Sequence, residues 1–319
     1  MRAVALWIAV LIAATGRYHV VHDWPVVPEG EIMGWVVSGV GTDSRGDVFV
    51  FHRAGREWPA SDELDLTPIA RPTILRFDGR TGALKAAWGV NQFAMPHGLT
   101  VDAGDNVWVT DVALQQVFKF SHDGRLLLTI GERGVRGADG SHFDRPTKVA
   151  VARDGAFYVS DGNRNNRVVK FAPDGRFLMQ WGSKGSGPGE FDLPHGIALD
   201  DRGRVYVADR GNARVEIFES EGRYAGEWKG PQFGRPFDIA FRADGVAFIA
   251  DGGDIPSQPP DRSRVIAVAR DRHVIGQFGK FGVYDGQFYR AHDLAVSHDG
   301  SVYVGDANGR VQKFVTTIH

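Results

Sequence analysis

Hydrophobic and polar positions alternate along most of this chain in short runs that end in turns. One stretch, residues 149–182, reads VAVARDGAFYVSDGNRNNRVVKFAPDGRFLMQWG. Valine, phenylalanine and tyrosine alternate there with polar residues, and Asp-Gly pairs separate the runs. This is the pattern of antiparallel strands joined by tight turns. The stretch therefore predicts a unit of four strands.

Similar units recur after about residue 36. They begin near Val37, Pro96, Pro146, Pro194, Pro236 and Ala291. A period of about 40 to 55 residues with four strands per unit is typical of β-propeller blades. The chain is therefore predicted to be all-β, with residues 17–319 forming a single six-bladed β-propeller domain.

The sixth unit stops after its third strand, residues 311–315. Residues 18–22, ahead of the first unit, have strand-like composition. We expect this N-terminal strand to pair with the last blade and close the ring, because closure removes exposed sheet edges. Three longer segments rich in glycine, proline and charge are expected to be loops on the faces of the disc: residues 56–72, 133–143 and 252–262.

The amino terminus indicates export. Residues 1–16, MRAVALWIAVLIAATG, place Arg2 ahead of an apolar run that ends in the small residues Ala14 and Gly16. A run of about a dozen apolar residues is short for a spanning helix but typical of a signal peptide. We expect cleavage after Gly16 and a secreted or periplasmic domain without stable membrane insertion. An uncleaved membrane anchor is the alternative.

Composition narrows the possible partners. The chain has 37 Lys and Arg residues against 39 Asp and Glu residues, interspersed without a basic run, which argues against a nucleic-acid ligand. It has no cysteine, which excludes disulfides and thiolate chemistry. We expect a monomer that acts on a small molecule or a peptide.

Three histidines share one position of the repeat, in the second, fourth and sixth units: His97 in PHGLTVD, His195 in PHGIALD and His292 in AHDLAVS. The matching positions of the other units hold Ser38, Thr147 and Phe237. Alternate units of a six-membered ring lie about a third of a turn apart, so the imidazoles should converge on the central channel. Three neutral imidazoles with an open position favour Zn²⁺, with Fe²⁺, Mn²⁺ and Co²⁺ as alternatives.

Other polar residues near the predicted channel have more than one interpretation. Asp293 follows His292, and strand alternation turns it away from that ligand's direction. It either orients the site or binds a second, harder cation. Arg53 and Arg210, in FHR and VADR, either clamp a substrate carboxylate or form surface ion pairs.

An aspartate ends the second strand of five units, and its recurrence predicts a structural acceptor for turn N–H groups rather than a catalytic group. These residues are Asp111, Asp161, Asp209, Asp251 and Asp306.

Dispersed motifs give the chain a family resemblance from about Tyr18 to its end. They include DWP, VSGV, FHR, PHGLTVD, VTDVALQQVFK, SHFDRPT, VADR, AHD and GDA. Together these segments resemble the peptidyl-α-hydroxyglycine α-amidating lyase family, within the wider set of NHL-repeat propellers. The resemblance implies a catalytic zinc held by His97, His195 and His292. It also implies a structural calcium held by the Asp293 side chain and by the backbone carbonyls of Val40 and Leu99.

Members of that family cleave the N–Cα bond of a peptidyl-α-hydroxyglycine, releasing a peptide amide and glyoxylate. The resemblance assigns the substrate carboxylate to Arg53 and Arg210. The family's tyrosine, proposed as a base, falls at Asn163, whose amide does not take up a proton. Arg290 replaces an apolar methionine, and Arg164 stands where animal relatives have a cysteine.

Three functions are therefore open. The first is a zinc-dependent lyase acting on a peptidyl- or N-acyl-α-hydroxyglycine. The second is a zinc-dependent hydrolase of an ester, lactone or amide, which the loss of the tyrosine favours. The third is a non-catalytic NHL module that binds a protein or glycan. Three histidines argue against the third, because a structural zinc usually has four protein ligands.

Overall fold

The computed structural model describes residues 18–29, 33–254 and 262–316, and the regular structure of these residues is entirely β-strand. Twenty-four strands form six four-stranded antiparallel sheets. The described part contains no helix long and apolar enough to cross a membrane. The predicted export signal, residues 1–16, lies outside the described residues.

Each sheet is one blade, and its strands follow the chain outward from the axis, except that the outermost strand of blade 6 is formed by residues 18–20. Blades 1 to 3 comprise β2 Val37–Thr42, β3 Asp47–His52, β4 Ile74–Asp78 and β5 Leu84–Trp88; β6 Pro96–Val101, β7 Val107–Asp111, β8 Gln116–Phe120 and β9 Leu126–Ile130; and β10 Lys148–Val151, β11 Phe157–Asp161, β12 Arg167–Phe171 and β13 Phe177–Trp181. Blades 4 to 6 comprise β14 Pro194–Leu199, β15 Val205–Asp209, β16 Arg214–Phe218 and β17 Tyr224–Lys229; β18 Pro236–Phe241, β19 Ala247–Asp251, β20 Arg264–Val268 and β21 Val274–Phe278; and β22 Ala291–Val296, β23 Val302–Asp306, β24 Val311–Thr316 and β1 Tyr18–Val20.

The hydrophobic core lies between neighbouring blades. Phe49 and Phe51 of blade 1, for example, pack in one cluster with Phe93, Leu99 and Val107 of the next unit. Alternation within each strand sends one row of side chains to each neighbouring blade, so both faces of the inner strands are buried. The innermost strands line a central channel. Part of this channel is a cavity, and residues from all six innermost strands line it.

The N-terminal strand closes the ring as the sequence predicts. β1 pairs antiparallel with β24, with Tyr18 opposite Thr316 and Val20 opposite Phe314. The Tyr18 ring stacks on Phe278 of blade 5 at 4.8 Å. The strand is shorter than the predicted residues 18–22, because the chain turns away after Val20.

The inner strands depart from regular pairing at the position of the histidines. Register shifts fall between Pro96 and Leu99, between Pro194 and Ile197, between Ala291 and Asp293, and at the matching places in blades 1 and 5. In blade 3 the inner strand begins at Lys148, two residues after the predicted start. A bulge interrupts the alternation of side chains. Two consecutive residues can therefore both reach the channel.

Candidate metal centre and substrate site

The inner strands of blades 2, 4 and 6 bring His97, His195 and His292 together. Their ring centroids are 4.8 Å apart for His97 and His195, 4.7 Å for His195 and His292, and 5.3 Å for His97 and His292. One ring nitrogen from each lies within 4.8 Å of those of the other two. All three side chains are buried. The sequence-predicted trio is thus a single cluster inside the channel.

Backbone carbonyls orient the three imidazoles. Each Nδ1 lies within hydrogen-bond distance of the carbonyl oxygen at the matching position of the next blade. The pairs are His97 with Thr147 at 2.9 Å, His195 with Phe237 at 2.7 Å and His292 with Ser38 at 3.2 Å. A carbonyl oxygen only accepts, so each Nδ1 carries the hydrogen and each Nε2 keeps its lone pair. Such a partner on the far nitrogen is typical of metal-binding histidines.

The imidazoles are neutral near pH 7. Burial, followed by the charge of Arg53, lowers the pKa of His97 to about 3. Burial and the neighbouring imidazoles lower the pKa of His195 well below its usual value, and the pKa of His292 is lowered in the same way. His195 Nε2 is buried and has no hydrogen-bond partner among the described residues. Because an unpartnered buried nitrogen is costly, this donor set fits a divalent transition-metal ion.

Arg53 and Arg210 occupy equivalent places in blades 1 and 4, each directly after the second strand. Arg53 Nε donates to the Pro96 carbonyl at 3.0 Å, next to His97. Arg210 places its guanidinium carbon 4.0 Å from the centroid of the Phe237 ring, and its Nε is buried without a hydrogen-bond partner among the described residues.

Both guanidinium groups keep their charge near neutral pH. Burial lowers the pKa of Arg53 to about 10, and burial together with Arg290 and Arg235 lowers the pKa of Arg210 to about 9. Arg53 and Arg210 form no ion pair with a described carboxylate. A buried cation without an anionic partner is costly, so these two groups suit an anionic ligand.

Asn163 lies beside the strand that carries His195. A Cβ on the preceding Gly162 would lie 1.5 Å from the Pro194 carbonyl oxygen, so only glycine permits this approach. Asn163 Nδ2 is buried without a hydrogen-bond partner among the described residues. Arg290 lies with its guanidinium carbon 5.6 Å from the centroid of the Phe237 ring, which adds positive charge next to Arg210.

The loop between β3 and β4 contributes side chains that the sequence did not single out. The Trp58 ring lies between two arginines, 5.4 Å from Arg53 Cζ and 5.6 Å from Arg145 Cζ. Asp62 forms ion pairs with Arg145, at 2.9 Å, and with Arg164. The loop was expected on a face of the disc, and these contacts tie it to blade 3. In the sequence, a tryptophan within this polar, charged segment was the feature that could have identified these contacts.

The five repeated aspartates are structural, as predicted. Each accepts at least one backbone N–H from the segment before its blade's inner strand. The donors are Ala94 and Met95 for Asp111, Asp144 for Asp161, Asp192 for Asp209, Arg235 for Asp251, and Tyr289 and Arg290 for Asp306.

The fold and this buried centre define a class of protein: an NHL-repeat propeller with a cluster of three buried histidines as a candidate metal site. The NHL repeat model matches residues 93–120, 143–171 and 191–218. The chain is 36% identical over 321 residues to peptidyl-alpha-hydroxyglycine alpha-amidating lyase 2 of Drosophila melanogaster, covering 92% of this chain and 75% of that protein. The chain belongs to the peptidyl-α-hydroxyglycine α-amidating lyase family.

Two further comparisons limit what the family membership shows. The chain is 37% identical over 328 residues to peptidylglycine alpha-amidating monooxygenase of Rattus norvegicus, which covers 95% of this chain but only 32% of the rat protein. The chain thus spans about a third of that relative's length. A solved structure described as a gluconolactonase from Xanthomonas campestris shares the fold, with a TM-score of 0.62 at 14% identity over 94% of this chain and 95% of that one. The lyase-named relatives support an enzyme of the amidating-lyase type.

Proposed function

We propose that this protein is a zinc-dependent lyase that cleaves the N–Cα bond of a peptidyl- or N-acyl-α-hydroxyglycine, releasing an amide and glyoxylate. The observation that carries the proposal is the convergence of His97, His195 and His292 with all three Nε2 atoms left to a common ligand. Two buried arginines without carboxylate partners supply the complement of an anionic substrate.

The residues divide the work between holding the metal and holding the substrate. Three histidines leave the remaining coordination positions to substrate or water. A bound zinc ion supplies Lewis acidity that favours loss of the substrate's hydroxyl proton. Arg53 and Arg210 would bind the substrate carboxylate through charge-assisted hydrogen bonds, which fixes the orientation of the neighbouring C–N bond.

The overall reaction needs no added reactant. The C–OH carbon becomes a carbonyl carbon, the C–N bond breaks, and its electron pair stays on the nitrogen, which takes up the proton that the hydroxyl loses. Asn163 does not take up a proton, so its role would be to donate from the otherwise unpartnered Nδ2 to a substrate oxygen. The imidazoles are neutral, as metal binding requires. The arginines are charged, as binding of the substrate carboxylate requires.

Glyoxylate release from benzoyl-α-hydroxyglycine by the zinc-loaded protein tests the proposal. We expect His195→Ala to lower the rate by about a thousandfold or more, because Lewis-acid stabilisation contributes several kcal/mol. We also expect this variant to lose its bound zinc. The exposed His273 on the outer turn of blade 5 gives a matched control, and His273→Ala should retain both zinc and activity.

Two other outcomes would contradict the lyase. Turnover of an ester or lactone without glyoxylate would identify the hydrolase, which the asparagine at position 163 favours. One equivalent of zinc without turnover of either kind of substrate would identify a binding module.

A further inference from the structure

A second layer of side chains lies in the channel, one residue further along each inner strand than the histidine position. The six positions of this layer hold Gly39, Gly98, Lys148, Gly196, Asp238 and Asp293. The glycines are required by space. A Cβ on Gly196 would lie 2.3 Å from Asp238 Oδ1, and a Cβ on Gly98 would lie 2.3 Å from the Thr147 carbonyl oxygen. Three positions of the layer are therefore restricted to glycine, and the other three carry charged side chains.

The charged layer, Lys148, Asp238 and Asp293, is an ion triad across the channel. Lys148 Nζ lies 2.5 Å from Asp238 Oδ2 and 3.0 Å from Asp293 Oδ2. All three side chains are buried. They come from blades 3, 5 and 6, so a single ammonium joins three blades.

These contacts do not fit the calcium that the family resemblance predicts at Asp293, Val40 and Leu99. One oxygen of Asp293 accepts from the Val40 N–H at 2.9 Å, and the other faces the Lys148 ammonium. Calcium takes six to eight oxygen ligands. A divalent cation beside a buried ammonium would also meet strong repulsion at low dielectric. Lys148 therefore leaves no place for calcium on this carboxylate.

We propose that the Lys148 ammonium takes the place of the second cation, so that the channel of this protein carries its own counter-ion and needs no calcium. A second observation supports a cation position here rather than an ordinary ion pair. Asp238 Oδ1 is buried and has no hydrogen-bond partner among the described residues, so this oxygen would be available to a metal ion in a variant that lacks the ammonium. Two carboxylates facing each other across the channel would recruit a metal ion if the ammonium were removed.

Thermal unfolding of the zinc-loaded protein, in calcium-depleted buffer with and without millimolar CaCl₂, tests the proposal. We expect the wild-type Tm to be the same in both buffers and elemental analysis to find no stoichiometric calcium. Lys148→Met should unfold at a lower temperature without calcium, and CaCl₂ should raise its Tm by several degrees, whereas MgCl₂ should have a smaller effect.

Lys119→Met is the matched control, because Lys119 lies on β8, the third strand of blade 2, and its Nζ lies 3.8 Å from Asp102 Oδ2 rather than from the charged layer. Its Tm should not respond to calcium. Stoichiometric calcium in the wild type, or a wild-type Tm that rises with CaCl₂, would overturn the proposal, as would a folded Lys148→Met protein that ignores calcium. If that variant unfolds without calcium, recovery on refolding in CaCl₂ supports the proposal and failure in both buffers overturns it. None of these readouts depends on catalysis, so they stand apart from the lyase test.

Discussion

His97 illustrates how much of a histidine cluster a repeat sequence reveals. Its position in the repeat, shared with His195 and His292, was enough to predict that the three rings meet on the axis. The nitrogen that each ring presents was not predictable, because it depends on the carbonyl that the neighbouring blade places beside Nδ1. Repeat position comes from sequence alignment, whereas hydrogen-bond partners come from the contact between blades.

Lys148 and Asp238 show that functional-motif searches miss charged residues of the channel that lie outside any motif. Neither belongs to a motif with an assigned role, yet each follows the histidine position by one residue, as Asp293 does. Aligning this position across all six units would have revealed one lysine and two aspartates in one layer. The calcium prediction at Asp293, Val40 and Leu99 came from family resemblance alone, which carries no information about a neighbouring lysine.

Arg53 gives a prediction at the scale of one side chain. If its guanidinium binds the substrate carboxylate, Arg53→Ala should raise KM for benzoyl-α-hydroxyglycine by about tenfold to a hundredfold, since a hydrogen bond to a charged group contributes roughly 1.5–3 kcal/mol. Steady-state kinetics on glyoxylate release measures this effect. Arg56→Ala is the control, because Arg56 pairs with Asp65 at an exposed site and should leave KM unchanged. An unchanged KM in Arg53→Ala would remove this residue from the substrate site.

The inner strand is the element that shapes the site. The sequence predicts the alternating hydrophobic residues of this strand and the turns at its two ends. It does not predict the bulge at the histidine position. Bulges arise from how two strands pair, and the short runs beginning at Pro96 and Pro194 satisfy either register. The bulge explains why Asp293 reaches the channel although it follows His292 directly. Regular alternation would have turned the two side chains to opposite sides.

The closing strand β1 allows a prediction at the element scale. A variant lacking residues 1–20 should unfold at a lower urea concentration than one lacking residues 1–16. The longer deletion uncovers the edge of β24 and removes the Tyr18 ring contacts with Phe278 and Phe248. We expect a loss of roughly 3–5 kcal/mol in the free energy of unfolding, because large-to-small changes at packed aromatic sites cost about this much. Equal urea midpoints for the two variants would show that β1 does not hold the ring closed.

At the scale of the whole molecule, the three-histidine cluster depends on residues from every blade. The three histidines come from blades 2, 4 and 6, and the carbonyls that orient them come from blades 3, 5 and 1. The six-bladed architecture followed from the repeat period and from the unfinished last unit. The linkage of all six blades through one cluster did not, since it depends on the order in which neighbouring inner strands meet around the axis.

That linkage predicts a global effect of metal removal. A ligand that binds only the folded state at a thousand times its Kd stabilises it by about 4 kcal/mol. If the cluster holds zinc as proposed, chelation should therefore lower the Tm of the wild type and speed amide exchange in the inner strands of all six blades together. His195→Ala, which lacks one ligand, should start at the lower Tm and ignore the chelator. Faster exchange confined to β6, β14 and β22 would show that the carbonyl contacts do not transmit the metal's effect. The odd blades would then keep their protection without the ion, and the centre would stabilise only the strands that supply its ligands.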